Sequence, residues 1–167
     1  MTGRFPQRYV PKTISNKDKR KQVNMLLKSR HLYKKHQYFD RKKVLSYKST
    51  ESKHIKKARA VYHIENITPS RELATKTGCT LSALNQIVKK GEGAYYSSGS
   101  RPNQTAQSWG LARLASSLTA GKAAAVDYAI LQKGCDPKKK ALKLAKQSRK
   151  QYKYGQSKTK KTKFALF

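Results

Sequence analysis

Acidic residues are scarce. The 167-residue chain has eight Asp and Glu against 39 Lys and Arg, a net charge of +31. Self-repulsion at that density opposes compaction, and solubility does not require it. An anionic partner is therefore expected: nucleic acid, an acidic protein surface or anionic lipid. Cysteine is nearly absent too. Cys79 and Cys135 stand alone with no CxxC pair, which excludes a disulfide-dense secreted scaffold and a zinc ribbon. Two reduced, partly buried thiols are expected. No apolar run approaches the ~20 residues a membrane-spanning helix needs. The opening MTGRFPQRYV lacks the apolar stretch of a secretory leader. Histidine is confined to positions 31, 36, 54 and 63, and between 66 and 135 the acids are Glu72, Glu92 and Asp127. A nucleophile such as Ser98 or Ser100 would find no base there. No catalytic residue, metal site, cofactor or small-molecule substrate is expected.

The positive charge is uneven. Residues 1–65 carry 19 basic and 4 acidic residues, residues 66–135 carry 8 and 3, and residues 136–167 carry 12 and 1. This predicts a compact helical domain over 66–135 between two basic arms, a partly helical one over 1–65 and a helix with a tail over 136–167. A centre of about 70 residues is near the lower size limit for independent folding. The arms are too poor in apolar residues to fold alone.

Periodicity and caps predict a mainly α chain. Residues 1–14 read as an extended arm. Ser15 caps a helix over 15–36 whose thin stripe of Val23, Leu26, Leu27 and Arg30 needs a partner surface. Ser52 caps another over 52–62. Thr68-Pro69 reads as a cap and first helical residue, with a helix to Thr77 that stops at Gly78. Thr80 caps a second, which stops at Gly91. Helices then follow over about 104–118 and 122–133, punctuated by Gly121 and Gly134. Asp136-Pro137 opens a last, lysine-rich helix, and SKTKKTKFALF forms a basic tail with an apolar tip.

Residues 70–89, SRELATKTGCTLSALNQIVK, fit a helix-turn-helix. Ala74 is the small residue where two helices cross, Gly78 supplies the left-handed turn, and Leu84 and Ile87 lock the second helix. Thr80, Ser82, Asn85 and Gln86 would face a major groove. The same pattern suits an αα-hairpin in a small helical domain, and the second helix has no Arg or Lys before Lys89.

Residues 91–109, GEGAYYSSGSRPNQTAQSW, hold three Gly and the only Trp. The composition suggests a phosphate cradle. No Lys follows the glycines, however, and no strand precedes them, so it is not a P-loop. The expected role is a structural junction between two helix pairs. Gly93 and Gly99 would permit tight turns, Tyr95 and Trp109 would form the apolar floor, and Arg101 would bind carbonyls of the neighbouring helices.

The lysine clusters carry the anion-binding expectation: Lys19, Arg20, Lys21, Arg41, Lys42 and Lys43 in the first arm, and Lys138, Lys139, Lys140, Lys160 and Lys161 in the second. Phosphate contacts scale with such charge and need no sequence preference. The interleaved Tyr33, Tyr38, Phe39 and Tyr47 of the first arm, and Tyr152 and Tyr154 of the second, suit base stacking or anchoring in a protein pocket.

GEGAYYSSGSRPNQTAQSWGLARLASSLTAGKAAAVDYAILQKGC (91–135) resembles an uncharacterised domain family of large double-stranded DNA viruses of algae and protists, with versions in some phages. YFDRKKVLSYKSTESKHIKKARAVYHI (38–64) resembles the basic segment that precedes this domain. With residues 69–90, the resemblance spans roughly 38–150. It implies a viral protein and assigns no catalytic residues. The expectation that follows is a non-enzymatic minor capsid protein in the virion interior, bridging capsomers through its arms. Its partners would be other capsid proteins, with viral DNA or an anionic internal membrane in reach. A helix-turn-helix or polycationic protein that binds or condenses viral DNA is the alternative.

Overall fold

The computed structural model describes residues 2–165. The chain is mainly helical, with eight α-helices and one two-stranded sheet among the described residues. It divides into two compact units. One draws on Met1–Thr50, Glu92–Trp109 and Lys158–Phe167, the other on Glu51–Gly91 and Gly110–Ser157. This corrects the expected division into a central domain and two arms. The termini supply one unit together, and helices α4 (Leu81–Ser97) and α5 (Ala106–Leu118) each contribute to both.

In the first unit, strand β1 (Thr2–Pro6) pairs antiparallel with β2 (Lys161–Ala165). The supposed extended arm and basic tail thus satisfy each other's backbone. Leu166 and Phe167, half of the expected apolar tip, lie outside the described residues. Helix α1 (Asn16–Tyr33) begins at Ser15, whose Oγ accepts from the Asp18 amide. Its stripe finds the surface it needs: Val23 and Leu26 are buried with Phe5, Tyr9 and Val10, and Leu27, Trp109 and Phe164 pack on them. The arm folds because these residues converge from three separate stretches, none of which is strongly apolar alone.

The second unit holds the larger core. Helix α2 (Lys53–Tyr62) is capped by Ser52, and α3 (Arg71–Thr77) is capped by Ser70 rather than Thr68. Helix α6 (Lys122–Val126) and α7 (Tyr128–Gly134) divide at Asp127 what the periodicity joined into one helix. Helix α8 (Lys140–Gln151) starts three residues after Pro137. Ala58, Tyr62, Leu73, Leu84, Ile87, Leu114, Leu118, Leu131 and Leu142 are among the buried residues. The Tyr62 hydroxyl donates to the Leu118 carbonyl at 2.5 Å, and burial raises its pKa. Asp127, fully buried, accepts from Arg113 Nε and Nη2 at 2.8 Å each and pairs with Lys90 Nζ at 3.0 Å.

Gly91 does not end a helix. A Cβ there would lie 2.6 Å from the Gly110 Cα, so the missing side chains let α4 and α5 cross closely while α4 continues to Ser97. The expected Gly93 turn is therefore absent. Gly93 sits inside α4, with open space where a Cβ would stand.

Candidate nucleic-acid interface

The helix-turn-helix segment folds as helix, turn, helix. Gly78 has φ +74° and donates its amide to the Ala74 carbonyl. Leu73, Leu84 and Ile87 are fully buried and Cys79 nearly so. Thr80 Oγ1 accepts from the Ala83 amide at 3.2 Å and starts α4. Thr80, Ser82, Asn85 and Gln86 are all exposed, with Leu81 beside them. Gln86 Nε2 donates to Ser82 Oγ at 3.4 Å. The polar face of α4 thus points to solvent, and its apolar face holds the core.

A disulfide joins Cys79 to Cys135 with an S–S distance of 2.08 Å, which corrects the expectation of two free thiols. The turn chemistry explains the meeting. The Thr80 amide donates to the Gly134 carbonyl and the Asp136 amide to the Gly78 carbonyl, both at 2.8 Å. The α3–α4 turn and the α7–α8 turn therefore run side by side as a short antiparallel bridge. Gly134 permits this approach, because a Cβ there would lie 2.4 Å from Ala83 Cβ.

That bridge sets the place of Lys138, Lys139 and Lys140. Asp136 Oδ1 accepts from the Lys138 amide at 2.9 Å, and the Lys139 amide donates to the Asp136 carbonyl. The Lys139 stem lies against Gly78, where a Cβ would come within 2.4 Å of Lys139 Cγ. All three lysines are exposed, as are Lys143, Lys146 and Lys150 along α8. Ala141, Leu142, Ala145 and Ser148 face inward. The cationic row therefore starts at the helix-turn-helix turn itself.

In the first unit, Lys42, Lys43, Lys160 and Lys161 are exposed, as are Arg20 and Lys21, while Lys19 is half-buried. Lys21 Nζ donates to the Lys43 carbonyl at 3.0 Å. Arg41 departs from the expected anion-binding role. Its guanidinium donates to Ser29 Oγ, the Tyr95 carbonyl and Ser100 Oγ at 3.0, 2.8 and 2.8 Å. Burial lowers its pKa, an effect opposed by the Tyr95 phenol. Arg30 donates to the Ser98 carbonyl through Nε and Nη2.

These two arginines perform the task expected of Arg101, which is exposed. The reason is position. Arg101 lies beyond the Gly99 turn, where φ is +118°, and the carbonyls that need donors sit at Tyr95 and Ser98, before it. Tyr95 is 1% exposed, and Trp109 packs edge-on against Tyr9 with centroids 5.9 Å apart. A Cβ on Gly99 would meet Leu26 and Tyr9. Asn103, which the sequence did not single out, exchanges hydrogen bonds with the Val44 amide and carbonyl. Its only sequence signal is an Asn in a turn-rich stretch.

Residues 6–140 match the family of unknown function DUF5824. The chain belongs to this family. The match covers the helix-turn-helix segment, the disulfide and Lys138, Lys139 and Lys140. No curated protein and no solved structure matches the chain. Among the described residues, no group of three or more His, Cys, Asp or Glu could hold a metal ion. No helix among them is long and apolar enough to cross a membrane.

Proposed function

We propose that this member of the family is a non-enzymatic nucleic-acid-binding protein that docks duplex DNA with α4 and the lysines at the start of α8. One observation carries the reading. The exposed polar residues Thr80, Ser82, Asn85 and Gln86 begin at the same turn that Lys139 covers, and a disulfide ties the two segments together. In helix-turn-helix proteins the second helix enters the major groove, and flanking cations hold the phosphates. Asn85 and Gln86 have the donor and acceptor pair that adenine requires.

The resemblance to viral proteins extends this reading to a virion component whose partner is the viral genome. The folded termini weigh against arms that bridge capsomers, because β1 and β2 already pair with each other. Mass spectrometry of purified particles tests the location, and absence from particles would sink it.

The DNA reading is tested by titrating duplex DNA at several salt concentrations with the wild type, a Lys138→Ala, Lys139→Ala, Lys140→Ala triple variant, and Gln86→Ala. The triple variant should lower the slope of log K on log salt by about 2–3 if each lysine neutralises one phosphate. Gln86→Ala should weaken a preferred site more than bulk duplex. An unchanged slope and affinity in the triple variant would refute the docking surface.

A further inference from the structure

Four tyrosines of the first unit form a chain of rings. Tyr33 and Tyr38 have centroids 6.2 Å apart, Tyr38 and Tyr96 5.0 Å, and Tyr96 and Tyr95 5.0 Å. Tyr95 is buried at one end, whereas Tyr38 is 68% exposed and Tyr33 37%. An aromatic ring that open to water buries little apolar area, so packing does not explain its placement.

The placement is nonetheless rigidly supported. Residues 37–44 carry no helix or strand, yet the segment is pinned before the ring by the Gln37 amide, which donates to the Leu32 carbonyl at 3.0 Å, and after it at Asp40 and Arg41. The Arg41 amide donates to the Tyr95 hydroxyl at 3.0 Å, and the Tyr96 hydroxyl donates to Asp40 Oδ1 at 2.9 Å. The Arg41 side chain adds its three bonds below. Tyr38 is held out to solvent on a prepared base, which lowers the entropic cost of binding a flat partner.

The surroundings specify the partner's charge. Residues 28–43 contain seven Lys and Arg and one acid, Asp40. That acid is engaged by Tyr96. Lys28, Lys34, Lys35, Lys42 and Lys43 are exposed. A planar ring presented among cations suits a ligand with alternating flat apolar faces and negative charges. Single-stranded nucleic acid is such a ligand: its bases stack on aromatic side chains while its phosphates meet lysines. An acidic protein segment would satisfy the lysines and leave the open ring without a planar counterpart.

We infer that Tyr38, backed by Tyr33 and Tyr96, is a stacking platform for an unpaired base of single-stranded nucleic acid. The platform shares with the proposed function only the class of partner. Tyr96 lies near the end of α4, but the platform uses neither the Thr80–Gln86 face at its start nor α8, so the two readings fail separately.

The test compares a thymidine single strand with a phosphodiester strand of equal length that lacks bases, by fluorescence anisotropy with the full chain at fixed salt. The wild type should bind the thymidine strand more tightly. Tyr38→Ala should lose about tenfold on that strand and little on the base-free one, in the range found when single stacking residues are removed. Tyr38→Phe should keep the preference. Tyr38→Leu, which retains bulk without a π face, should lose it, so a fold defect in one variant does not hide the result. Equal wild-type affinity for both strands, or a preference that survives Tyr38→Ala and Tyr38→Leu, would overturn the platform and favour a protein partner. The Lys138–Lys140 triple variant should leave the preference intact.

Discussion

The guanidinium of Arg41 lies 3.7 Å from the centroid of the Tyr95 ring and donates to the carbonyl of the same residue. A cation placed over an aromatic face and bound to three oxygens is a structural pin, although its neighbours Lys42 and Lys43 are solvated charges. The distinction matters for mutagenesis of the basic segments.

Arg41→Ala should destabilise the protein by roughly 2–4 kcal/mol, since it strands buried acceptors and removes the cation–π contact. Arg41→Lys should recover only part of this, because an ammonium cannot fork to Ser29, Tyr95 and Ser100 together. Arg101→Ala should stay within about 0.5 kcal/mol of wild type, as exposed substitutions usually do. Denaturant melts of the three variants check the ranking. A destabilised Arg101→Ala beside a neutral Arg41→Ala would reverse it.

The Cys79–Cys135 disulfide closes a loop with a sequence separation of 56 residues. Chain-entropy arguments give such a loop up to about 4 kcal/mol of stabilisation. Reduction, or the Cys79→Ser and Cys135→Ser pair, should therefore lower stability by roughly 2–4 kcal/mol. It should also weaken duplex binding, since Lys138–Lys140 would be held beside Thr80 only by backbone hydrogen bonds. Melts and DNA titrations with and without reductant, with thiols counted, measure both. Full reduction with no change in either would show that the backbone bridge suffices.

Local signals were legible in the sequence where one residue decides one turn. Ser15 and Ser52 cap the helices they were expected to cap, and Gly78 takes the left-handed turn that the helix-turn-helix pattern demands. What was not legible depended on distant partners. Gly91 looked like a stop signal, because nothing local shows that Gly110 lies across from it. Arg41 looked like one more cation in a basic run, since its acceptors come from residues 54 to 59 positions away and from α1. The N-terminal stretch looked unable to fold because its apolar residues are sparse until Trp109 and Phe164 join them.

Asp127 is the buried acid of the second unit, and its two partners differ in worth. Arg113 binds it through two parallel bonds and is 21% exposed, whereas Lys90 is 50% exposed. Asp127→Ala should cost about 3–5 kcal/mol by leaving a partly buried guanidinium unpaired. Lys90→Ala should cost less than about 1 kcal/mol, as a half-solvated ion pair does. Thermal melts of both variants separate the cases. Similar losses would mean that the lysine is the essential partner.

Asp18 gives the fold an acid-sensitive point. The Ser46 hydroxyl and then the Ser46 amide donate to Oδ2, and these bonds hold the Asp18 pKa below its ordinary value of 3.8. Because the folded pKa lies below the unfolded one, the carboxylate stabilises the fold above the unfolded value, near pH 4. That contribution fades as pH falls through the folded pKa. Ser46→Ala removes the first cause and leaves the amide bond, so the Asp18 pKa should move part of the way back. The variant should be less stable than wild type at pH 6, and the gap should narrow toward pH 2. An NMR titration of the Asp18 carboxyl with melts at both pH values measures this. A gap that stayed constant with pH would mean that Ser46 acts through its 3.0 Å bond from the Ser15 amide and not through the charge on Asp18.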